Sequence, residues 1–451
     1  MKEEAMLTSY RCIKQGGATG WAGCSIFFRG CLAVLVGVLT IGIGDDARAQ
    51  SPASSAVTGG DTLSLTVVAK SDLHFSDVVD VVELRDGGVL VLDRIARHVF
   101  RLDPSLSGEP APISTRGEGP GEYVVPRLLR GLTGDSIGIH DGNLGRLTVL
   151  DPEGRFVRTI REDGIERSFG VDIDELGRGY HVTGAGDPRQ GRVPGDPDAD
   201  RVLMWDLDTR SWKPVATVET GSLVVADRPT LVSQRIIFQP TPTWAVAPDG
   251  TVAVITADPY RVTIFDPEQG RIDGPEVPFD PVPVTEADRQ AWREAAAEPR
   301  PMEVGRIGDP PGSSRIQMVE LPPVEPGGWA DAMPPFMART VRFAPDGRIW
   351  VPRTTELGAS ARADIFNREG VRTARVVLEE GVRIVGFGEG VVYAVAQNEY
   401  GEEAVVRLAE DGSKWAGNAR ACPGLSPYAS LCLSPPVVHP HPSFPAALFS
   451  H

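Results

Sequence analysis

From Asp61 onwards one pattern keeps returning: a short apolar run, a turn built on Asp or Gly, a second apolar run, a polar turn, and a third run that often ends near Asp. Such a unit is too small to bury its own apolar residues and must stack on its neighbours, so the repeat constrains the fold more than any average property does. The first copy has runs at 81–84, 89–93 and 98–103 around Asp86-Gly87-Gly88. The second has Gly134-Asp135 followed by runs at 136–141 and 146–151, and the third has 171–174, Gly177, 180–182 and a late run at 202–206. The fourth and fifth share Pro-Asp-Gly turns at 248–250 and 345–347, flanked by 244–247, 252–254 and 260–266, and by 341–343, 349–351 and 363–366. The sixth has 382–385, a Gly388-Glu389-Gly390 turn, 391–395 and 404–408.

Each copy reads as three strands of period two, with a more variable fourth strand such as 156–160 after the third run. Four strands repeated six times, with turns roughly 45 residues apart in the compact copies, predict an all-β fold: a six-bladed β-propeller with four-stranded blades over residues 61–413. Solenoids are the rival architecture, with more even repeats and no ring to close. Closure needs a strand from one terminus in the blade of the other. The alternating run 63–69 is unassigned and is expected to pair with the sixth copy.

One insertion, at about 270–335, interrupts the pattern. It carries the capping-box spelling Thr285-Glu286-Ala287-Asp288 and a helix-favouring stretch at 290–298. It reads either as a lid over one ring face or as a surface excursion packed on a blade.

The N-terminal 49 residues read as a secretory signal. Arg11, Lys14 and Arg29 precede an apolar run at 32–44, too short to span a bilayer comfortably, and Ala47-Arg48-Ala49 offers a cleavage site. Residues 50–60 read as a flexible leader, and no membrane span is expected once the signal is removed. All five cysteines lie outside the repeats, at 12, 24, 31, 422 and 432. A cysteine-free body suits an oxidising compartment and excludes thiolate chemistry there. Export to the periplasm or the extracellular space is therefore expected. Alternation stops near Lys414, and 414–451 reads as a disordered tail or as sequence from a shifted frame. The formal net charge of −16 disfavours nucleic acid, whose phosphates it would repel, and leaves cationic partners open.

The segment Gly117-Glu118-Gly119-Pro120-Gly121-Glu122-Tyr123, with Pro126, the run 135–141, the run 146–151 and Gly154, resembles a full NHL-type repeat. That resemblance extends over roughly 60–413. It implies a six-bladed propeller of the bacterial exported kind, and some NHL-like propellers resemble metal-dependent lyases or lactone hydrolases. Fold resemblance by itself carries no activity across.

Candidate sites are few. The glycine-rich segment reads as a blade-to-blade linker, or as an anion site in which Arg116 and the amides of Gly117, Gly119 and Gly121 take part. It lacks the Lys-Ser/Thr of a phosphate loop. His140 and His181 hold comparable places in two copies, and Asp172 and Asp174 share a strand face at i and i+2. If these four converge on a central channel they would bind a divalent metal, calcium or zinc; otherwise no cofactor is expected. The recurring Asp93/Arg97, Asp141/Arg146 and Asp258/Arg261 are expected to pair across turns. Gly134-Asp135-Ser136-Ile137-Gly138 spells a hydrolase elbow, but a turn precedes the serine and a strand pattern follows it. The leading functional expectation is a binding or scaffolding module for a protein, peptide or glycan. The alternative is a metal-dependent hydrolase or lyase with its site in the channel.

Overall fold

The computed structural model describes residues 61–142, 144–161, 171–183, 200–218, 236–297, 300–304, 315–319, 325–337, 340–398 and 401–410. The expected signal, leader and tail lie outside these residues.

The runs read from the sequence are strands, and in three four-stranded sheets they lie in chain order. One sheet holds Pro126–Gly131, Ile137–Asp141, Arg146–Leu150 and Phe156–Arg161; the next holds Val171–Ile173, Gly179–Thr183, Asp200–Asp206 and Ser211–Val218. A third holds Thr243–Val246, Val252–Ala257, Tyr260–Asp266 and Gly270–Asp273. A five-stranded sheet holds Arg342–Phe343, Ile349–Arg353, Arg362–Phe366, Arg372–Val377 and, on its outer edge, Asp61–Leu63. The largest sheet has eight strands, in which Val78–Glu83, Val89–Asp93, His98–Leu102 and Ala111–Pro112 join Val382–Gly388, Val391–Gln397, Glu403–Glu410 and Leu65–Lys70. The first strands of all these sheets surround one cavity. The molecule is an all-β propeller with one short helix, Glu286–Ala297.

Burial explains why middle strands read as unbroken apolar runs. Val89–Asp93, Ile137–Asp141 and Arg146–Leu150 are buried at every position, because each is covered on both faces. The outer strand Phe156–Arg161 is mostly exposed. Apolar clusters lie between consecutive sheets; Leu90, Leu92 and Val99 pack on Leu129, Ile137 and Ile139 in one of them. The series closes on itself, since Phe75, Val78 and Val91 pack on Val385, Tyr393 and Val405. Each such side chain, fully buried, contributes about 1.5–3 kcal/mol.

The turn between the first and second strand recurs with one chemistry. Its glycine takes a positive φ: +84° at Gly87, +81° at Gly177, +91° at Gly250, +83° at Gly347. Only glycine adopts that conformation freely. The preceding aspartate accepts amides within the turn, Gly88 N on Asp86 at 2.9 Å and Thr251 N on Asp249 at 3.0 Å. A second recurrence sits at the end of the second strand. Asp93 accepts Ser76 N at 2.7 Å and Asp141 accepts Val124 N at 2.5 Å, each reaching 17 residues back. These aspartates thus bind backbone amides. Arg261 bonds Glu276, at 2.9 Å.

Closure runs through the N-terminal strand as expected, and goes further. Leu65–Lys70 pairs antiparallel with Glu403–Glu410, while Asp61–Leu63 adds parallel to Arg372–Val377 of the preceding sheet. At the channel, Gly386 and Phe387 pair parallel with Val81 and Val82. A Cβ on Gly386 would lie 2.2 Å from the Val81 carbonyl oxygen, so only glycine permits this approach.

The segment read as an insertion begins with a regular fourth strand, Gly270–Asp273. The helix then starts as its spelling predicts: Asp288 N donates to Thr285 Oγ1 at 3.2 Å, and Thr285 N donates back to Asp288 Oδ2 at 2.8 Å. Trp292 meets Trp329 edge-on at 5.4 Å, and Phe336 is buried between two sheets.

Candidate functional site: the central channel

The cavity has a volume of about 720 Å³. It is lined by the first strands and the turns that follow them. Four of the first strands put a charge toward the channel: Asp80, Arg130, Asp172 and Arg342. A strand aims alternate side chains to one face, so an isolated charge at that position points into the channel.

These four form a belt. Arg130 donates through Nη1 to Asp80 Oδ2 at 2.7 Å and through Nη2 to Asp172 Oδ1 at 2.8 Å. Arg342 donates through Nη1 to Asp80 Oδ1 at 2.8 Å and through Nη2 to the Val79 carbonyl at 2.7 Å. The carboxylates also take main-chain amides of neighbouring sheets, Leu129 N on Asp80 and Val246 N on Asp172, each at 3.0 Å. Burial pulls the Arg130 guanidinium down, but Asp172 and Asp80 more than offset that, and its pKa is raised on balance. The two aspartates and two arginines cancel in charge.

Beyond the belt the lining is acidic. Glu83, Glu175 and Glu389 face the cavity, together with Asp135, which is paired to Arg85 at 2.9 Å. Glu83 is held from behind, where Tyr393 OH donates to its Oε2 at 2.8 Å and Arg407 Nε donates to that hydroxyl at 2.9 Å. Burial raises the Glu83 carboxyl above its ordinary value; the Tyr393 hydrogen bond and Arg407 act against this, and Glu389 adds to it. The same pairing of tyrosine, carboxylate and arginine recurs as Tyr180, Asp174 and Arg178, and as Tyr260, Asp364 and Arg353.

Of the four residues expected to gather round a metal, Asp172 faces the channel, where it is bound to Arg130. Asp174 is a turn residue with a fully buried carboxylate, accepting Leu176 N and Arg178 N at 3.0 Å and Tyr180 OH at 3.0 Å. His140 is buried in the sheet of 126–161, opposite Leu128 and Leu147. His181 is buried in the next sheet, edge-on to Trp212 at 4.8 Å. Among the described residues no three His, Cys, Asp or Glu side chains gather as a ligand set.

The glycine-rich segment crosses from one sheet to the next. Gly117 N donates to the Tyr123 carbonyl at 3.0 Å, and Gly119 N donates to Glu122 Oε2 at 2.7 Å. Arg146 clamps it through the carbonyls of Glu118, Gly119 and Glu122 at 2.9–3.1 Å. Tyr123, fully buried, accepts Val99 N of the preceding sheet at 3.0 Å. Gly121, at φ +81°, lies against Phe156. An anion at Gly119 would have to displace the Glu122 carboxylate. Arg116 is half-buried and bridges to Tyr123 through its backbone. Ser136 is extended and leads into the strand Ile137–Asp141, so the elbow spelling has neither the strand before it nor the helix after it.

Sequence reasoning missed Asp80, Arg130, Arg342, Glu83 and Glu389. A signal was present in Asp80, Arg130 and Arg342, charges within short apolar first strands, and aligning the copies on their turns exposes it.

No helix among the described residues is long and apolar enough to cross a membrane. No family model matches the chain, and no curated protein matches it. Among solved structures, the chain is similar to a member of the DUF4221 family from Bacteroides vulgatus, with 8% identity over 78% of this chain and 99% of that one, at a TM-score of 0.43. It is also similar to a protein of Bacteroides fragilis named as exported, with 10% identity over 77% and 94%, at a TM-score of 0.41. A third is the calcium-binding protein regucalcin from Agrobacterium tumefaciens, with 12% identity over 76% and 95%, at a TM-score of 0.36.

Proposed function

We propose that this chain is an exported, six-bladed propeller that acts as a binding or scaffolding module for a protein, peptide or glycan. The count of six treats the eight-stranded sheet as two four-stranded blades joined at the parallel contact of Gly386 and Phe387 with Val81 and Val82, added to the four other sheets of four or five strands. Export rests on the signal-like N-terminus and the cysteine-free body.

The observation that carries a binding role is the acidic excess of the channel lining. The channel charges of Asp80, Arg130, Asp172 and Arg342 are engaged with one another and with the backbones of neighbouring blades, which suits a hub that holds the ring. The cavity lining, the belt included, carries six acidic side chains against three basic ones, so a partner presenting basic groups fits best. The test is native mass spectrometry with metal analysis on the mature chain beginning at Gln50, followed by capture from envelope extract. A metal-free protein whose captured partner is lost on Glu175→Lys with Glu389→Lys supports the reading. A stoichiometric divalent ion that is lost on Asp172→Asn sinks it in favour of channel-centred, metal-dependent hydrolysis or elimination.

A further inference from the structure

Away from the channel, one carboxylate is surrounded by three guanidinium groups. Asp364, on Arg362–Phe366, has a side chain 2% exposed. Arg353 Nη1 lies 2.6 Å from its Oδ2, Arg375 Nε 3.4 Å from its Oδ1, and Arg372 Nη1 3.8 Å from Oδ2. Tyr260 OH, from the preceding sheet, donates to Oδ2 at 3.1 Å.

The three arginines are not equivalent. Arg353 is fully engaged: its Nε donates to the Pro335 carbonyl at 2.7 Å, and its guanidinium lies over Tyr260 at 4.9 Å and over Phe279 at 5.6 Å. Arg372 is different. Its side chain is 12% exposed, and its buried Nη1 has no hydrogen-bond acceptor among the described residues. Asp364 Oδ2 already takes two donors and stands beyond hydrogen-bonding distance of Arg372. Arg375, 53% exposed, forms the open side of the cluster.

The backbone brings Arg372 there by an irregularity. In a regular strand, residues three apart face opposite sides of the sheet. Here the register steps from Ile365 opposite Ala374 to Phe366 opposite Arg372, leaving Thr373 as the extra residue of a bulge. The bulge turns Arg372 to the face that Arg375 shares with Asp364, which is how bulges re-aim side chains. Three permanent positive charges then meet one negative charge; of these Arg353 and Arg372 are largely buried, where a charge without a partner is unfavourable, while Arg375 is open to solvent.

We propose that Arg372 and Arg375, backed by Arg353 and Asp364, form a binding site for a small oxyanion. Guanidinium forks match the paired oxygens of phosphate, sulfate or carboxylate, and such an anion would supply the missing acceptor and neutralise part of the surplus. The site shares no residue with the channel cavity and stands independently of the role proposed for it.

The experiment is titration of the full mature chain with inorganic phosphate, followed by calorimetry and by melting temperature against chloride at matched ionic strength. A parallel titration uses acetate, to separate a tetrahedral anion from a carboxylate. Saturable binding of either is expected, with Arg372→Met weakening it by about tenfold or more. Arg375→Gln, at an exposed position that leaves the fold intact, should weaken it several-fold while the melting temperature in chloride stays that of the wild type. Binding of neither anion beyond chloride, or binding undiminished in both variants, overturns the site.

Discussion

Asp80 and Arg342, 262 residues apart in sequence, meet in the channel at 2.8 Å, and the same carboxylate takes Arg130 at 2.7 Å through its other oxygen. One side chain thus joins three blades. Asp80→Ala leaves two guanidinium groups facing the channel without their shared carboxylate and one strand amide without its acceptor. Loss of one partner from a buried pair costs about 3–5 kcal/mol, and urea unfolding should show a loss in that range. Asp135→Ala, which breaks the exposed pair with Arg85, should lose no more than about 1 kcal/mol. Equal losses for the two variants would remove the belt's structural role.

Gly386 allows two first strands to run in direct contact. Gly386→Val should drive them apart, because its Cβ would lie 2.2 Å from the Val81 oxygen. The expected outcome is a lower melting temperature and faster amide exchange at Val81 and Val82 than at Leu129. Unchanged exchange at those amides would show that the parallel contact is dispensable.

Removing residues 61–70 strips the outer strand from one blade and the added strand from its neighbour. The exposed edges of Glu403–Glu410 and Arg372–Val377 then offer unpaired backbone to other chains. Size-exclusion chromatography of the shortened chain should show aggregates; a monomer with wild-type melting would refute closure by this segment.

Glu83 predicts the sign of a pH effect. Burial raises its carboxyl above the ordinary value of 4.5, so the native state binds the proton more tightly than the unfolded chain does. Protonation therefore favours folding, and the contribution is lost as pH rises through the raised native value. Glu83→Gln keeps an acceptor for Tyr393 and removes the titration. Its melting temperature relative to wild type should climb between about pH 4 and pH 7. A difference that is flat over that interval would contradict the assignment.

Where the sequence was legible, local chemistry explains why. The Asp-Gly turns sit where positive-φ glycines and side-chain-capped amides require them, and the strands between them keep their period. The fourth strands were harder, because an outer strand such as Phe156–Arg161 is mostly exposed and shows no strong pattern. The parallel addition of Asp61–Leu63 left no signal, since three residues carry no register of their own. A channel position for Asp172 was one of two readings open to the sequence, and its pairing with Arg130 was not legible, because it depends on how neighbouring blades are rotated. The glycine-rich segment crosses between sheets as its linker reading had it, and its own Glu122 takes the Gly119 amide that an anion would need.

The sheet that unites Leu65–Lys70 with Glu403–Glu410 also dictates when the ring can form. It pairs one of the earliest described strands with the latest, so the closing contact carries nearly the largest loop entropy this chain offers. No shorter length of emerging polypeptide contains both halves. Blades can collapse pairwise as they are made, but the finished ring must wait for synthesis to pass residue 410, and folding is expected to be slow and to end at that seam.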